Sequence, residues 1–137
     1  MNLKNLSLAA LPLSLFAIAC APVEHATDAN PAAGAPAVTV VGEPQQCLPR
    51  SQIRQTAVRS DRVIDFEMNG GKVYRSTLAQ RCPGLGLERA ITYETSIDQL
   101  CTTQIVYALQ NASGGFGGSR RGAACTLGEF VPVEYVR

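Results

Sequence analysis

RVIDFEMNGGKVYRS, residues 62–76, is the stretch from which the fold can be read. Ile64, Phe66 and Met68 alternate with Asp65 and Glu67. Successive side chains of a strand point to opposite faces, so a period of two describes a half-buried strand with one apolar and one charged face. Asn69-Gly70-Gly71 follows, and these residues tolerate the positive φ that a tight turn requires. Lys72-Val73-Tyr74-Arg75-Ser76 then runs back. A three-residue Asn-Gly-Gly loop sets Phe66 opposite Tyr74 on the core face and Asp65 opposite Arg75 on the wet face. A two-residue Asn-Gly loop instead sets Arg75 opposite Ile64 on the core face. A slip of one residue exchanges the faces, so the pattern predicts the first register.

Outward from this hairpin, strands are expected over Ile53–Arg59, Arg89–Glu94, Thr103–Gln110 and Cys125–Val133. Ser96-Ile97-Asp98-Gln99 has the spacing of a capping box and predicts one helical turn through Cys101. A second short turn is expected over Leu48–Gln52, with Pro49 at its first position. Residues 111–122, NASGGFGGSRRG, read as a hairpin tip between the last two strands. The expected fold is mostly β: a small antiparallel sheet or barrel of five or six strands, with one or two short helical turns and two disulfides.

That domain occupies residues 47–137, 91 residues, enough for one unit. A core this small buries only about 60% of the unfolded surface or somewhat more, so covalent staples are expected. Four cysteines lie within it, Cys47, Cys82, Cys101 and Cys125, and four cysteines allow three pairings. Pairing Cys47 with Cys125 and Cys82 with Cys101 ties the ends of the domain and closes a local loop, and is the expected arrangement. The rival is a zinc site. The spacings of 35, 19 and 24 residues contain no Cys-x-x-Cys pair, which argues against metal.

The fifth cysteine, Cys20, explains the N-terminus. Leu6 to Ala19 is an uncharged apolar run of 14 residues behind Lys4. As a helix it is about 21 Å long at ~1.5 Å per residue, short of the roughly 30 Å hydrocarbon core. A positive start, a short apolar run and small residues before a cut form the pattern of an export signal, here residues 1–19. Ala17-Ile18-Ala19 satisfies ordinary signal peptidase. With Cys20 it also resembles a bacterial lipobox, departing from it in having Ala17 where Leu is usual. Lipidation of Cys20 leaves four cysteines to form two disulfides, whereas a free Cys20 leaves one thiol over. Ala21, in place of an inner-membrane retention Asp, resembles an outer-membrane address. The expected location is therefore the periplasmic face of the outer membrane, held by a lipid anchor, with a soluble periplasmic protein as the alternative. Residues 20–46 read as the lipidated Cys and a disordered Ala/Pro-rich tether. A flexible chain of that length spans about 25–30 Å, from ~5–6 Å times the square root of length. Val38-Thr39-Val40-Val41 is its exception, a candidate edge strand.

Composition restricts the chemistry. His25 is the one histidine and lies in the tether, so a Ser-His-Asp or Cys-His device has no His held by the fold. No cofactor is expected, since the glycine-rich stretches lack the Lys-Ser/Thr of a phosphate loop and the length of a dinucleotide fingerprint. Asp65 and Glu67 share a strand face about 7 Å apart, a separation at which carboxylates cleave glycosidic bonds. A solvated face partnered by Arg75 is the plainer reading. Phe116, beside Arg120 and Arg121 at the glycine-rich tip, is a candidate contact for a partner. Without Lys4 the chain carries 11 basic and 11 acidic residues (12 − 1 against 11), which argues against nucleic acid. Its cations are nearly all arginine, which grips carboxylate and phosphate bidentately.

CLPRSQI (47–53), DRVIDFEMNGGKVYRSTLAQRCPGL (61–85), SIDQLC (96–101) and CTLGEFVPV (125–133) resemble a family of small exported proteobacterial proteins known only as a domain of unknown function. The resemblance implies export and four structural cysteines, and no reaction. Two functions are open: a non-catalytic envelope lipoprotein that binds a protein or polymer, and a small carboxylate-dependent hydrolase acting on an envelope polymer.

Overall fold

Asn69-Gly70-Gly71 reverses the chain as the sequence predicts. Gly70 and Gly71 have φ of +94° and +90°, a region that L side chains rarely adopt. Met68 N donates to Lys72 O at 2.8 Å and Gly71 N to Met68 O at 3.0 Å. Phe66 lies opposite Tyr74 and Asp65 opposite Arg75, the three-residue register. This geometry comes from a computed structural model, which describes residues 30–110 and 118–137. The signal sequence of residues 1–19, Cys20, His25 and Phe116 lie outside the described residues.

Ten strands are found among those residues: β1 (Val38–Val40), β2 (Cys47–Pro49), β3 (Ile53–Val58), β4 (Val63–Met68), β5 (Val73–Thr77), β6 (Ile91–Tyr93), β7 (Gln99–Cys101), β8 (Ile105–Gln110), β9 (Arg120–Thr126) and β10 (Phe130–Tyr135). They form an antiparallel sheet ordered β1-β10-β5-β4-β3, a three-stranded sheet β6-β8-β9 and a two-stranded ribbon β2-β7. The expected mostly β fold with two disulfides is what the chain adopts. A 3-10 turn at Arg50–Gln52 follows Pro49, and a single turn of helix, α1 (Leu85–Glu88), lies after β5. No helix among the described residues is long and apolar enough to cross a membrane.

All three sheets contribute to one core. Ile64, Phe66, Tyr74 and Phe130 come from the large sheet, Leu48 and Leu100 from the ribbon, and Val106 and Ala108 from the third. Phe66 and Phe130 meet edge to face, with centroids 5.4 Å apart and planes at 80°. Leu85 of α1 is fully buried and caps this cluster.

Three expectations are corrected. Ser96–Cys101 does not form a helical turn. Gln99–Cys101 is β7, and Asp98 is instead engaged across the ribbon, accepting from Ser51 N at 2.8 Å and Ser51 Oγ at 2.5 Å. That choice also overturns the disulfide pairing of Cys47 with Cys125 and Cys82 with Cys101. As a strand, β7 sets Cys101 directly opposite Cys47, and these two are bonded. Cys82 pairs with Cys125, joining the segment after β5 to β9. Closing loops with separations of 54 and 43 residues removes about 4 kcal/mol each of unfolded-chain entropy in the loop-closure treatment. Third, the segment read as Cys125–Val133 is two strands, broken at Leu127-Gly128-Glu129. There Ser76 Oγ donates to Gly128 O at 2.9 Å, and a Cβ on Gly128 would meet Thr77 O at 2.0 Å.

Two expected outcomes follow from this packing. Peptide mass mapping without reduction will recover Cys47 linked to Cys101 and Cys82 linked to Cys125. Gly128→Ala will lower stability by about 3 kcal/mol, read as a lower denaturant midpoint with both disulfides intact, because backbone must shift to admit one methyl.

Candidate functional site

The charged face of the central hairpin is not wet. Asp65 has 0% exposure and Arg75 6%. Arg75 Nε donates to Asp65 Oδ1 at 2.7 Å and its Nη2 to Oδ2 at 3.0 Å, a bidentate pair. Arg59, just past β3, donates from Nε to Asp65 Oδ2 at 2.9 Å. Tyr135, at the end of β10, donates its hydroxyl to the same oxygen at 2.9 Å and accepts from Arg59 Nη2 at 2.6 Å. The lid over this cluster is the chain of residues 30–40, part of the stretch read as tether. Arg75 Nη1 donates to Pro36 O at 2.9 Å, Val136 N donates to Ala37 O at 3.1 Å, and β1 pairs with β10 from Val38 to Val40. The expected edge strand is therefore the end of a strap that covers the sheet from Asn30 onward.

Burial alone would raise the Asp65 carboxyl above its ordinary value. Hydrogen bonds from Arg75 and Arg59, the charge of Arg75 and the Tyr135 hydroxyl outweigh it and leave the pKa lowered. Tyr135 is pushed up, first by its burial. An ionised carboxylate with no access to solvent and four donors in place has no proton to exchange with a substrate. Glu67, its neighbour on the face, is engaged by Arg54 at 3.0 Å across β3. Sequence reasoning placed Asp65 opposite Arg75 but missed Arg59, Tyr135 and the Pro36 carbonyl. The signal available was that the alternation of Val131 and Val133 continues to Tyr135, two residues beyond the expected end of the last strand.

The site open to a ligand is elsewhere, at the hairpin end of the large sheet. A groove of about 480 Å³ is lined by Val41–Glu43, Gln45, Gly70–Tyr74 and Pro132–Glu134. Its outer wall is the segment following β1. Val41 N donates to Pro132 O at 2.9 Å, and Gln45 exchanges both backbone bonds with Phe130 at 2.8 and 2.9 Å, so the wall is pinned at both ends. Gly42 allows the close approach, since a Cβ there would stand 3.0 Å from Pro132 Cγ. Lys72, Glu43 and Glu134 carry charge at the rim, and Gln45 Nε2 donates to the Tyr74 hydroxyl at 3.4 Å. These groups can hydrogen-bond and pair charge with a polar ligand.

Of the residues expected to touch a partner, Arg120 and Arg121 lie in β9. Arg121 is turned to its own sheet, bonded to Glu94 and stacked 5.1 Å over the Tyr107 ring. Among the described residues no three His, Cys, Asp or Glu side chains converge as metal ligands. No family model, no curated protein and no solved structure matches the chain.

Asp65→Asn leaves Arg75 and Arg59 facing an uncharged amide, and removing one partner of a buried pair costs about 4 kcal/mol. Chemical denaturation at neutral pH will show that loss. The folded pKa of Asp65 is lowered, so its contribution is present above the ordinary carboxyl value of about 4 and is lost as pH falls through the folded value. The wild-type protein will accordingly lose stability below about pH 4, and the difference between it and Asp65→Asn will shrink there.

Proposed function

We propose that the chain is a non-catalytic envelope lipoprotein, exported, cut before Cys20 and acylated there, which binds an envelope protein or polymer at the hairpin-end groove. Two disulfides fit an exported protein. The positive start, the apolar run and Ala17-Ile18-Ala19-Cys20 support the anchor. Membership of the exported family that four stretches resemble belongs to the same reading.

The observation that carries it is that the groove lies at the end of β4 opposite to Asn30, so that a tether at Asn30 does not obstruct it. Asn30, the first described residue of the strap, lies beside Ser60, Asp61 and Arg62, at the start of β4. The groove lies by Gly70 and Gly71, past the end of β4. Six residues of strand separate these ends, about 20 Å at ~3.3 Å per residue. From Cys20 to Asn30 the chain can reach no more than about 35 Å. An acyl group on Cys20 would keep the domain within that reach of the bilayer, and because the reach exceeds the separation of the two ends the groove is free to turn into the periplasm. The sealed Asp65 weighs against the carboxylate-dependent hydrolase, for which Glu67 is the remaining member of the pair.

Intact-mass measurement of the protein from isolated outer membranes will show loss of residues 1–19 and added acyl mass on Cys20. An unmodified Cys20 thiol on soluble protein would overturn the anchor. For the groove, Lys72→Glu combined with Glu134→Lys will abolish retention of the envelope ligand on the immobilised protein, while Glu67→Gln will retain it. Loss of a turnover with Glu67→Gln would instead favour the hydrolase.

A further inference from the structure

We infer that the hairpin-end groove takes a short peptide bearing both a carboxylate and an ammonium group, the carboxylate held by Lys72 and Tyr74 and the ammonium by Glu43 and Glu134. This deepens the proposed function and rests on its reading of the groove as the binding site; it does not depend on the anchor. β5 and β10 pair from Phe130 and Ser76 as far as Val133 and Val73. Beyond that point β10 runs on against β1, to Tyr135. The two strands therefore part at Lys72 and Glu134, and the groove opens where they part. Side chains two residues apart on a strand share a face. Lys72 thus stands on the face of Tyr74, and Glu134 on the face of Pro132, which lies opposite Tyr74. Deeper in the sheet that face buries the core around Phe66 and Phe130; at this end it finishes in charge.

The hydroxyl of Tyr74 is the polar group that points to a ligand. Tyr74 is 8% exposed and lines the groove. Its oxygen accepts from Gln45 Nε2 at 3.4 Å, and among the described residues its own proton has no acceptor. A buried hydroxyl donor left unused favours an acceptor brought into the groove. Lys72, on the same face, makes that acceptor a carboxylate, since hydrogen bonds to an ionised group are the stronger ones. Glu43 and Glu134 are exposed at the rim, and among the described residues neither they nor Lys72 enter an ion pair. Two carboxylates beside one ammonium repel a polyanion, and a neutral sugar leaves all three charges unanswered. A ligand with one charge of each sign answers them. Val41, 51% exposed, and Pro132 lie between the charged groups and give a small apolar side chain a seat. Gly70 and Gly71 bring bare backbone to the opposite wall, where a Cβ would meet nothing within 4 Å, so a peptide main chain can lie against it. The volume of about 480 Å³ falls in the range of about 300–1,000 Å³ usual for small ligands.

The test uses the full mature chain and the tripeptide N-acetyl-lysyl-alanyl-alanine, which carries one ammonium and one carboxylate. Binding is read by titration calorimetry. The tripeptide is expected to bind, and two matched peptides are expected to bind about tenfold more weakly, one ending in an amide and one with norleucine in place of lysine. Lys72→Gln is expected to bind the acid and the amide alike while still preferring lysine to norleucine. Glu43→Gln combined with Glu134→Gln is expected to do the converse. Tyr74→Phe, which keeps the buried ring, is expected to weaken the acid by about tenfold and the amide much less. A change of preference of this kind is not produced by a loss of folded protein. The proposal is overturned if the tripeptide does not bind, if either matched peptide binds equally well, or if Lys72→Gln still prefers the acid. Retention of the envelope ligand on the immobilised wild-type protein, and its loss on exchange of the Lys72 and Glu134 charges, reports on the groove itself. Retention without tripeptide binding therefore overturns the peptide and leaves the groove standing, whereas absence of both overturns the two together.

Discussion

The buried pair of Asp65 and Arg75 is the constraint around which this domain is organised. A carboxylate with no exposure loses several kcal/mol of hydration, and the strand partner alone does not replace it. Arg75 supplies two donors, Arg59 one and Tyr135 one, so both carboxylate oxygens are satisfied. Arg75 has a further Nη1 donor, and it goes to the Pro36 carbonyl. The ion pair thereby recruits the segment that buries it. With Pro36 held, Val38–Val40 falls beside β10, and the chain beyond it is carried to Val41 and Gln45, where it forms the groove wall. Charge placement in the middle of one hairpin thus reaches a surface feature at the sheet's far end.

The hairpin itself was legible because its information is local. Alternation specifies which residues share a face, and Asn69-Gly70-Gly71 specifies the loop, so register follows without knowledge of the rest. Which face meets water is not local. Asp65 and Glu67 look like a solvated pair in sequence; Asp65 becomes a sealed centre only because a distant strap and the end of β10 reach its cluster, while Glu67 pairs with Arg54 of the neighbouring strand. A strap rich in Ala and Pro carries little periodic signal; its docking rests on backbone groups, the Pro36 carbonyl, the Ala37 carbonyl and the β1–β10 ladder.

The disulfides were misread for a related reason. Ser96-Ile97-Asp98-Gln99 has the letters of a helix start, and the pairing of Cys82 with Cys101 was expected because it closes a local loop while Cys47 and Cys125 tie the ends. In the fold, Asp98 finds Ser51 instead, Leu100 enters the core and Cys101 faces Cys47. A local propensity worth about 1 kcal/mol lost to burial of Leu100, worth roughly 2 kcal/mol or more, together with ribbon pairing. The two-strand reading of residues 120–135 was equally out of reach, since the break at Gly128 exists to let Thr77 approach. What the sequence says of a binding site is thinner still: glycines near Gly70 and small residues in β9 announce turns and strands, not ligands.

Both faces of the five-stranded sheet are already occupied, one by the core around Phe66 and Phe130 and the other by the strap over Asp65. A small domain with its faces used in this way has only ends and edges left for recognition. At the hairpin end, backbone turns and charged rims give a groove suited to polar groups. The disulfides secure the margins by different means, Cys47–Cys101 closing the ribbon just beyond the groove wall and Cys82–Cys125 joining β9 to the segment after β5. Rigidity at the margins is what lets so small a core present surfaces that need not reorganise when they bind.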